Sequence, residues 1–231
     1  MKTIGIIGGM GPLATVDLYR RIVLRTAALK DQEHIHVLID SNTNIPDRTR
    51  AIIAGGEDPT VELIKSAKIL EQAGANFLIM PCNTAHYFIN TIKENVSIPF
   101  VNMVEETAKH TYAKYGKDVV VGILATDGTI KSKIYTEYYN KMGIKTVIPE
   151  KTQEKIMKFI YDVIKSGRYD EGTDLLFECV EELKSMGANA FVLGCTELSS
   201  AQYLYNFEGS FINPMEVLTE VSIEYAGGKL N

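Results

Sequence analysis

The sequence predicts an α/β fold made of two pseudo-symmetric domains, each an open parallel sheet covered by helices. Predicted strands and helices alternate along all 231 residues, which is typical of parallel sheets. Two stretches, 74–84 and 187–197, are near copies: each begins Gly-Ala-Asn, continues through apolar residues and reaches a cysteine followed by polar residues. Shorter similarities recur at almost the same offset. Together these observations indicate an internal repeat.

The offsets of the repeat define the two halves. Cys82 and Cys195 lie 113 positions apart, as do the two Gly-Ala-Asn starts. Pro-Phe-Val-Asn at 99–102 resembles Ser-Phe-Ile-Asn at 210–213 with an offset of 111, and Gly-Ile-Ile at 5–7 matches Gly-Ile-Leu at 122–124 with an offset of 117. We expect one domain over residues 1–100 plus 212–231, with the last helix returning to the first half. The second domain is expected over residues 101–211.

The elements follow from apolar periodicity and from glycine and proline positions. Strands are predicted at 3–8, 35–39, 77–80 and 98–101 in the first half, and at 119–124, 145–148, 191–193 and 210–213 in the second. Helices are predicted at 12–29, 59–73, 85–94, 104–115, 130–142, 152–166, 169–186 and 215–225, with a short helix or turn at 47–56. Pro12 suits a first helical position, because its missing N–H is not needed there, and Gly74 suits a helix end.

Composition restricts the class of protein. Hydrophobic residues make up 45% and charged residues 23%, as in ordinary globular proteins, and the net charge of −5 implies no general attraction for nucleic acid or anionic membranes. The N-terminus has no signal-peptide pattern, since glycines interrupt its apolar run. Three cysteines are too few, and odd in number, for a disulfide framework. These features predict a cytoplasmic protein.

Both repeated cysteines follow a predicted strand, and ligands of open α/β sheets bind outside the carboxyl ends of strands. If the halves face each other, Cys82 and Cys195 meet across a cleft that forms the active site. Two facing thiols can invert a carbon stereocentre, because one removes a proton from one face while the other returns a proton to the opposite face. A single cysteine after a buried strand is more often inert; the pairing within a repeat favours acid–base catalysis. Cys179, within a predicted helix, is expected in the core.

The surroundings of both thiols predict how they would work. Each precedes a predicted helix, whose positive end should lower the thiol pKa. Backbone N–H groups of Asn83, Thr84 and Thr196 are candidate donors to a substrate carboxylate, with Glu197 in a supporting role. The turn after the first strand offers further N–H groups at Gly9 and Met10.

Alternative interpretations remain. Residues 9–14 fit G-x-G-x-x-A, with Asp40 at the end of the next strand, which resembles a dinucleotide fingerprint. A zinc site is poorly supported, since there is no C-x-x-C and only His86 lies near a cysteine. His86 fits a backbone-orienting role better than that of a base. Arg48 and Lys165 are candidate counter-charges for a carboxylate, although either alone also fits a solvated surface charge.

The motifs Met-Pro-Cys82-Asn-Thr-Ala-His86 and Leu-Gly-Cys195-Thr-Glu-Leu, with the opening Ile-Gly-Ile-Ile-Gly-Gly-Met-Gly-Pro, resemble the aspartate/glutamate racemase family, and within it the aspartate racemases. The resemblance covers the whole chain. It implies racemisation of an acidic amino acid by two cysteine bases, with no cofactor and no metal. It also implies that Arg48 and Lys165 bind the substrate carboxylates, and that the chain forms a homodimer.

The resemblance leaves the substrate open. Aspartate is the first expectation, with glutamate as the alternative, because one methylene is worth only about 1–3 kcal/mol of discrimination. A maleate isomerase or a decarboxylase of a dicarboxylic acid would use similar cysteines. A non-catalytic module that binds a small acidic ligand or a nucleotide is the alternative outside enzymes. A small dicarboxylic amino acid is the expected partner, without nucleic acid or membrane.

Overall fold

The computed structural model describes residues 1–168 and 172–231, and the chain divides into two compact units. Unit 1 comprises Met1–Glu106 with Met215–Asn231, and unit 2 comprises Thr107–Pro214. Each unit contains one parallel sheet and the helices that connect its strands. The predicted α/β class with two parallel sheets is therefore confirmed. The predicted domain bounds, 1–100 plus 212–231 for the first domain and 101–211 for the second, stay a prediction.

Unit 1 is built on a three-stranded sheet. Its strands are β1 (Ile4–Gly8), β2 (Val37–Ser41) and β3 (Phe77–Ile79), in the order β2-β1-β3. Its helices are α1 (Pro12–Arg25), α2 (Arg48–Ile53), α3 (Thr60–Gln72) and α4 (Ile89–Lys93), with 3₁₀ turns at Asp31–Glu33 and Thr84–Phe88. Helix α5 (Met103–Tyr115) begins in unit 1 and ends in unit 2.

Unit 2 repeats this plan with one more strand. Its strands are β4 (Val120–Leu124), β5 (Lys145–Val147), β6 (Ala190–Leu193) and β7 (Phe211–Ile212), in the order β5-β4-β6-β7. Its helices are α6 (Asp127–Ser132), α7 (Ile134–Lys141), α8 (Gln153–Lys158), α9 (Thr173–Ser185) and α10 (Thr196–Tyr205), with a π-helical turn at Phe159–Ile164. Helix α11 (Pro214–Ala226) returns the chain to unit 1.

The repeat is visible in side-chain packing as well as in strand order. A Cβ on Gly5 of β1 would lie 2.8 Å from Leu78 and 3.3 Å from Leu70. A Cβ on Gly122 of β4 would lie 3.0 Å from Phe191 and 2.9 Å from Leu183. Leu70 and Leu183, like Leu78 and Phe191, are 113 positions apart. The two sheets therefore use glycine at equivalent places to admit equivalent helices.

The apolar core of unit 1 lies on both faces of its sheet. Ile4 and Ile6 of β1 pack in one cluster with Leu18 of α1 and Leu218 of α11. Ile7 points to the opposite face, where it packs in a second cluster with Leu63 of α3. Because successive strand residues face opposite sides, a strand buried on both faces reads as a continuous apolar run. All five residues of β1 are buried.

The predicted fourth strand at 98–101 is wrong. Only a single parallel bridge joins Phe100 to Leu78, whereas the equivalent Phe211 belongs to β7 and pairs with Phe191 of β6. Pro99 has no N–H to donate to a strand ladder. Asn102 then caps the start of α5, since its Oδ1 accepts hydrogen bonds from Val104 N at 3.0 Å and Glu105 N at 3.1 Å. The chain leaves the sheet before a strand can form.

Several predicted helices end early or change form. Helix α1 ends at Arg25, before residue 29, because Thr26 is extended and its hydroxyl donates to Ile22 O at 2.6 Å. The helix predicted at 85–94 is a 3₁₀ turn followed by α4, and that at 152–166 is α8 followed by the π turn. The helix predicted at 130–142 breaks at Lys133, whose φ is +57°. The start predicted at residue 169 lies outside the described residues.

Candidate active site

Cys82 follows β3 through a tight turn. Its N–H donates to Met80 O at 2.9 Å, which closes a γ-turn around Pro81. The residue is 6% exposed and packs in an apolar cluster with Met10, Ile45 and Ala85. The sequence predicted an α-helix after Cys82, but the residues Thr84–Phe88 form one short 3₁₀ turn. Five residues of this kind give little of the macrodipole that was expected to act on the thiol.

His86 fixes the backbone of the Cys82 turn. Its Nδ1 lies 2.8 Å from Cys82 O, and its Nε2 accepts a hydrogen bond from Met103 N at 3.2 Å. Because Nε2 is an acceptor, the single proton of the neutral ring is on Nδ1, which donates to Cys82 O. Burial lowers the pKa of His86 to about 4. His86 is therefore neutral at physiological pH and serves to orient Cys82, as the sequence favoured.

The turn between β1 and α1 is held by contacts within the chain. Gly9 has a φ of +91°, and a Cβ there would lie 2.4 Å from the backbone of Asn42. The hydroxyl of Thr15 accepts a hydrogen bond from Gly9 N at 2.9 Å and donates to Gly11 O at 3.1 Å. The loop at Asn42 thus occupies the space beside Gly9. This contact explains why a glycine is needed at position 9, so that the fingerprint pattern does not require a bound pyrophosphate.

Arg48 links the two loops at the carboxyl ends of β1 and β2. Its Nη1 donates to Ile45 O at 3.2 Å and Pro46 O at 2.9 Å, and its Nη2 donates to Met10 O at 3.2 Å. Its Nε is buried and donates to no acceptor. Asp47 caps helix α2, because its Oδ1 accepts from Arg50 N at 2.7 Å, and so places Arg48 at the first helical position. Arg48 therefore braces the turn that carries Met10.

Cys195, Glu197 and Lys165 form a connected group in unit 2. The thiol of Cys195 donates to Glu197 Oε2 at 2.8 Å, and Glu197 Oε1 lies 3.6 Å from Lys165 Nζ. The hydroxyl of Thr196 also donates to Glu197 Oε2, at 3.3 Å. Lys165 Nζ lies 4.6 Å from the centroid of the Tyr161 ring, a cation–π distance. One carboxylate thus joins a thiol, a hydroxyl and an ammonium.

The expected lowering of the Cys195 pKa is wrong. Cys195 does cap the N-terminus of α10, as predicted, but burial raises its pKa well above the usual value. The charge of Glu197 raises it further, and Lys165 only partly opposes this effect. Two effects raise the pKa: the thiolate loses its contact with water, and a carboxylate lies at hydrogen-bond distance. Together they outweigh the lowering of the pKa by the positive end of one helix. Cys195 is consequently a thiol at neutral pH.

The predicted site residues form one group in each unit. Met10, Asn83, Thr84 and Thr196 are all buried, as are both cysteines. Unit 1 contains the first group, which consists of Gly9, Met10, Arg48, Cys82, Asn83 and Thr84. Unit 2 contains the second group, which consists of Lys165, Cys195, Thr196 and Glu197. The roles given to these residues stay predictions.

Three further features bear on what the chain can do. The three cysteines, all among the described residues, are free thiols, and the buried Cys179 Sγ donates to carbonyls of Thr152 and Leu175 at 3.2 Å. Outside residues 169–171, His, Cys, Asp and Glu side chains form no group of three or more that could hold a metal ion. Of the helices that the structure describes, none is both long enough and apolar enough to cross a membrane.

Sequence reasoning missed the surroundings of Cys195. Tyr135 of α7 packs against Gly194, and a Cβ on that glycine would lie 3.3 Å from Tyr135 Cε2. The sequence contains a regularity in the helices that hold Tyr135, although none for its contact with Gly194. Thr107 and Thr111, like Tyr135 and Tyr139, are spaced four apart, which places each pair on one face of a helix. In the structure these pairs contact each other, since Tyr139 hydrogen bonds to Thr111 and Tyr135 to Thr107.

Comparisons with known proteins give the family. The Asp/Glu/Hydantoin racemase profile matches residues 7–221. The chain is 29% identical over 201 residues to the broad specificity amino-acid racemase RacX of Bacillus subtilis, across 85% of this chain and 86% of that protein. It is 30% identical over 134 residues to a glutamate racemase of Lysinibacillus sphaericus, but this match spans 56% of the chain and 48% of the relative.

Solved structures agree with this assignment. The aspartate racemase of Picrophilus torridus superposes with a TM-score of 0.87 at 30% identity, over 100% of this chain and 96% of that one. A glutamate racemase of Campylobacter jejuni superposes with a TM-score of 0.67 at 18% identity, over 99% of this chain and 88% of that one, which shows a shared fold. The chain therefore belongs to the Asp/Glu/hydantoin racemase family.

Proposed function

We propose that the chain racemises an acidic amino acid, with aspartate as the preferred substrate, and that Cys82 and Cys195 are its two bases. Racemisation breaks the bond between the α-carbon and its proton on one face and forms a new one on the other. One thiolate accepts the leaving proton while the opposite thiol donates its own proton to the carbanion. The electron pair stays on carbon throughout, so this step requires no oxidant or reductant.

The hydrogen bond from Cys195 to Glu197 is the observation that carries the proposal. A thiol that is inert in the core donates to a backbone carbonyl, as Cys179 does. Cys195 instead donates to a carboxylate, which can accept its proton, at 2.8 Å. A dry environment makes the thiolate a stronger base once it forms, because burial disfavours the charged state. Such a base suits a weakly acidic α-proton.

The protonation state of Cys195 gives the two directions different starting points. Since burial and Glu197 keep Cys195 a thiol, the resting protein is ready to protonate a carbanion at this residue. The enantiomer that loses its proton to Cys82 reacts with this form. The opposite enantiomer must lose its α-proton to the thiolate of Cys195. That thiolate forms when the Cys195 thiol transfers its own proton to Glu197 Oε2. Lys165 lies beside Glu197 and stabilises the negative charge that moves between the two groups.

The preference for an acidic substrate rests on two cations and on one relative. Lys165, which lies beside Glu197, and Arg48, which donates to Met10 O, are the two cations that we propose bind the second carboxylate of the substrate. The similar protein from Picrophilus torridus is an aspartate racemase, and it covers the chain completely. A substrate with one more methylene fits the same charges, so glutamate is the closest competitor.

Broad specificity is the second candidate, since the relative RacX, similar over 85% of the chain, is a broad specificity amino-acid racemase. A broad enzyme would accept neutral amino acids at rates close to those for aspartate. A panel of L-aspartate, L-glutamate and neutral L-amino acids separates the two candidates.

The homodimer and the cytoplasmic location expected from the sequence stay predictions. Sedimentation equilibrium tests whether the chain forms a homodimer.

The test is a chiral assay of the purified protein without added cofactor. We expect D-aspartate from the parent protein and from Cys179→Ala, and none from Cys82→Ala or Cys195→Ala. Cys179→Ala is the matched control, because it removes a buried thiol outside the proposed site. Full activity in either of the other variants would contradict the two-base mechanism. If the parent protein converts no amino acid on the panel, the racemase proposal fails.

A further inference from the structure

The ring of Tyr135 lies against the backbone that carries Cys195. Tyr135 is 1% exposed, and its Cε2 is 3.3 Å from where a Cβ on Gly194 would stand. Ala125 Cβ at 2.9 Å and Leu124 O at 3.2 Å close the other sides of that position. Gly194 N donates to Leu124 O at 2.7 Å. The residue before Cys195 is therefore held between the end of β4 and an aromatic ring.

Buried hydroxyl contacts hold the Tyr139 ring and the Tyr135 ring, each through its own threonine. Thr111 Oγ1 donates its only proton to Thr107 O at 2.7 Å, so the Tyr139 hydroxyl, 3.0 Å away, must be the donor to Thr111 Oγ1. One turn earlier, the Tyr135 hydroxyl hydrogen bonds to the side chain of Thr107. Burial raises the pKa of both tyrosines, which keeps them neutral. The two rings stack with centroids 6.0 Å apart and an interplanar angle of 23°.

The backbone before Tyr135 is bent to bring the ring to this place. Lys133 has a φ of +57°, a left-handed conformation that is costly for a residue with a Cβ. This residue lies between α6 and α7 and caps both, and Ile134 and Tyr135 follow it into the core. A continuous helix, as predicted at 130–142, would carry these side chains in a different direction.

We infer that Tyr135 is a positioning residue for Cys195: its ring confines Gly194 and so sets the direction of the Cys195 Cα–Cβ bond, and Thr107 anchors the ring. The inference rests on the proposed function, in which Cys195 exchanges a proton with the α-carbon. A displacement of about 1 Å of a catalytic group can cost about 10²-fold in rate. Tyr135 acts through the backbone and does not itself carry the proton.

We expect the same ring to help keep water away from the Cys195 thiol. The described ionisable groups around Cys195 are Glu197 on its own helix, Lys165 after the π turn and Tyr135 on α7. Replacing the ring by a smaller side chain leaves space beside Gly194 that water can enter. Since burial is the largest cause of the raised pKa of Cys195, hydration should lower that pKa. Reactivity of the thiol toward an alkylating agent reports this change without any turnover.

The experiment compares Tyr135→Leu, Tyr135→Phe and Tyr139→Leu with the parent protein. Tyr139→Leu removes an equally buried ring from the same helix, but one whose atoms are not among the three nearest to the Cβ position of Gly194. Two quantities are measured for each: kcat and KM for aspartate, and the rate at which iodoacetamide labels Cys195 between about pH 6 and pH 10, by peptide mass spectrometry. Cys82 and Cys179 are the internal references. If Tyr135→Leu does not fold, Tyr135→Met replaces it.

For Tyr135→Leu we expect kcat to fall about 10- to 100-fold with little change in KM, and the labelling of Cys195 alone to shift to lower pH. Tyr135→Phe, which keeps the ring but loses its hydrogen bond to Thr107, should lie between Tyr135→Leu and the parent in kcat. Tyr139→Leu should stay within about threefold of the parent in kcat. Equal losses in Tyr135→Leu and Tyr139→Leu, or unchanged Cys195 labelling in Tyr135→Leu, would overturn the inference. If the parent protein racemises nothing, the proposed function fails and the labelling still decides whether Tyr135 positions Cys195.

Discussion

Glu197 accepts the hydrogen bond of the Cys195 thiol through Oε2 at 2.8 Å, while its Oε1 faces Lys165 Nζ at 3.6 Å. The carboxylate therefore acts on the thiol in two opposite ways. Its charge raises the pKa of Cys195, and its lone pair gives the proton a place to go. Which effect matters for turnover can be tested by removing the charge while keeping the shape.

Glu197→Gln should lower the pKa of Cys195 and slow racemisation. The pKa falls only part of the way to its usual value, because burial is a larger cause of the shift than Glu197. We expect Cys195 to be labelled by iodoacetamide at lower pH than in the parent, and kcat to fall about 10²-fold because the proton acceptor is lost.

Glu181→Gln is the matched control for that change. Glu181 is a mostly exposed residue that pairs with Lys184 at 2.7 Å on the surface of α9. This variant should retain the labelling profile and kcat of the parent. Unchanged labelling of Cys195 in Glu197→Gln would contradict the proposed coupling.

Lys165→Met should lower kcat/KM for acidic substrates more than kcat/KM for neutral ones. A hydrogen bond to a charged group contributes about 1.5–3 kcal/mol, so kcat/KM for aspartate should fall about 10- to 100-fold. Lys165 also lowers the pKa of Cys195, and its loss therefore slows every substrate to some extent. The informative quantity is the ratio of kcat/KM for aspartate to that for a neutral amino acid.

Lys158→Met serves as the comparison, because Lys158 is largely exposed and pairs with Glu154 one turn away on α8. We expect it to leave the ratio unchanged. If the ratio also stays constant in Lys165→Met, Lys165 does not bind the substrate carboxylate.

The kcat/KM values for the L- and D-enantiomers of one amino acid must be equal in every variant, since the two enantiomers have equal free energies in water.

His86 should make the protein less stable in mild acid. Its pKa is about 4 in the folded protein, below the value of 6.5 of an unperturbed histidine, so the unfolded state binds the proton first as pH falls. Stability is therefore fully present above about pH 6.5 and is lost progressively toward about pH 4. The full shift corresponds to about 3 kcal/mol.

Urea unfolding at several pH values checks this prediction, with His86→Leu as the variant. The variant loses both hydrogen bonds of the ring and should be less stable at neutral pH by about 2–4 kcal/mol. It should also lose the part of the acid sensitivity that His86 causes. An identical pH dependence in the parent and in His86→Leu would show that another group is responsible.

Gly9→Ala and Gly74→Ala separate backbone conformation from steric contact. Both glycines have a positive φ, +91° at Gly9 and +96° at Gly74. A Cβ on Gly9 would lie 2.4 Å from the backbone of Asn42, whereas one on Gly74 meets no atom within 4 Å. Gly74→Ala should cost about 1 kcal/mol for the left-handed conformation alone.

Gly9→Ala should cost about 1–3 kcal/mol more, because the loop at Asn42 must move. The free energy of unfolding in urea measures both variants in the same conditions. Equal losses would mean that the Asn42 loop yields easily and leaves room beside Gly9. That result would restore the interpretation of this turn as a site for a bound anion.

The plan of the fold could be predicted because it depends on patterns that repeat in the sequence. The offset of 113 relates Leu78 to Phe191, and these two residues occupy equivalent places in β3 and β6. The breaks in helices could not be predicted in this way. Lys133 is neither glycine nor proline, and its left-handed conformation stands directly before the buried residues Ile134 and Tyr135.

The site was predictable in its residues but not in its electrostatics. The motif around Cys195 contains Glu197, and sequence alone indicates neither where that carboxylate points nor how dry the thiol is. The structure shows both, and they reverse the expected direction of the Cys195 pKa shift. Contacts between elements far apart in the chain, such as Tyr135 with Gly194, produce this part of the site.

The return of α11 to unit 1 fixes the order in which the chain can fold as it is made on the ribosome. Thr107–Pro214 is a contiguous segment, so unit 2 has all its residues as soon as Pro214 emerges. Unit 1 must wait longer. Lys2 N donates to Ala226 O at 2.8 Å, Ala27 N donates to Lys229 O at 2.8 Å, and Arg21 pairs with Glu216. The segment synthesised first therefore stays incomplete until residues 215–231 reach it, and during that interval the face of β1 that carries Ile4 and Ile6 lacks the part of its cover that α11 provides.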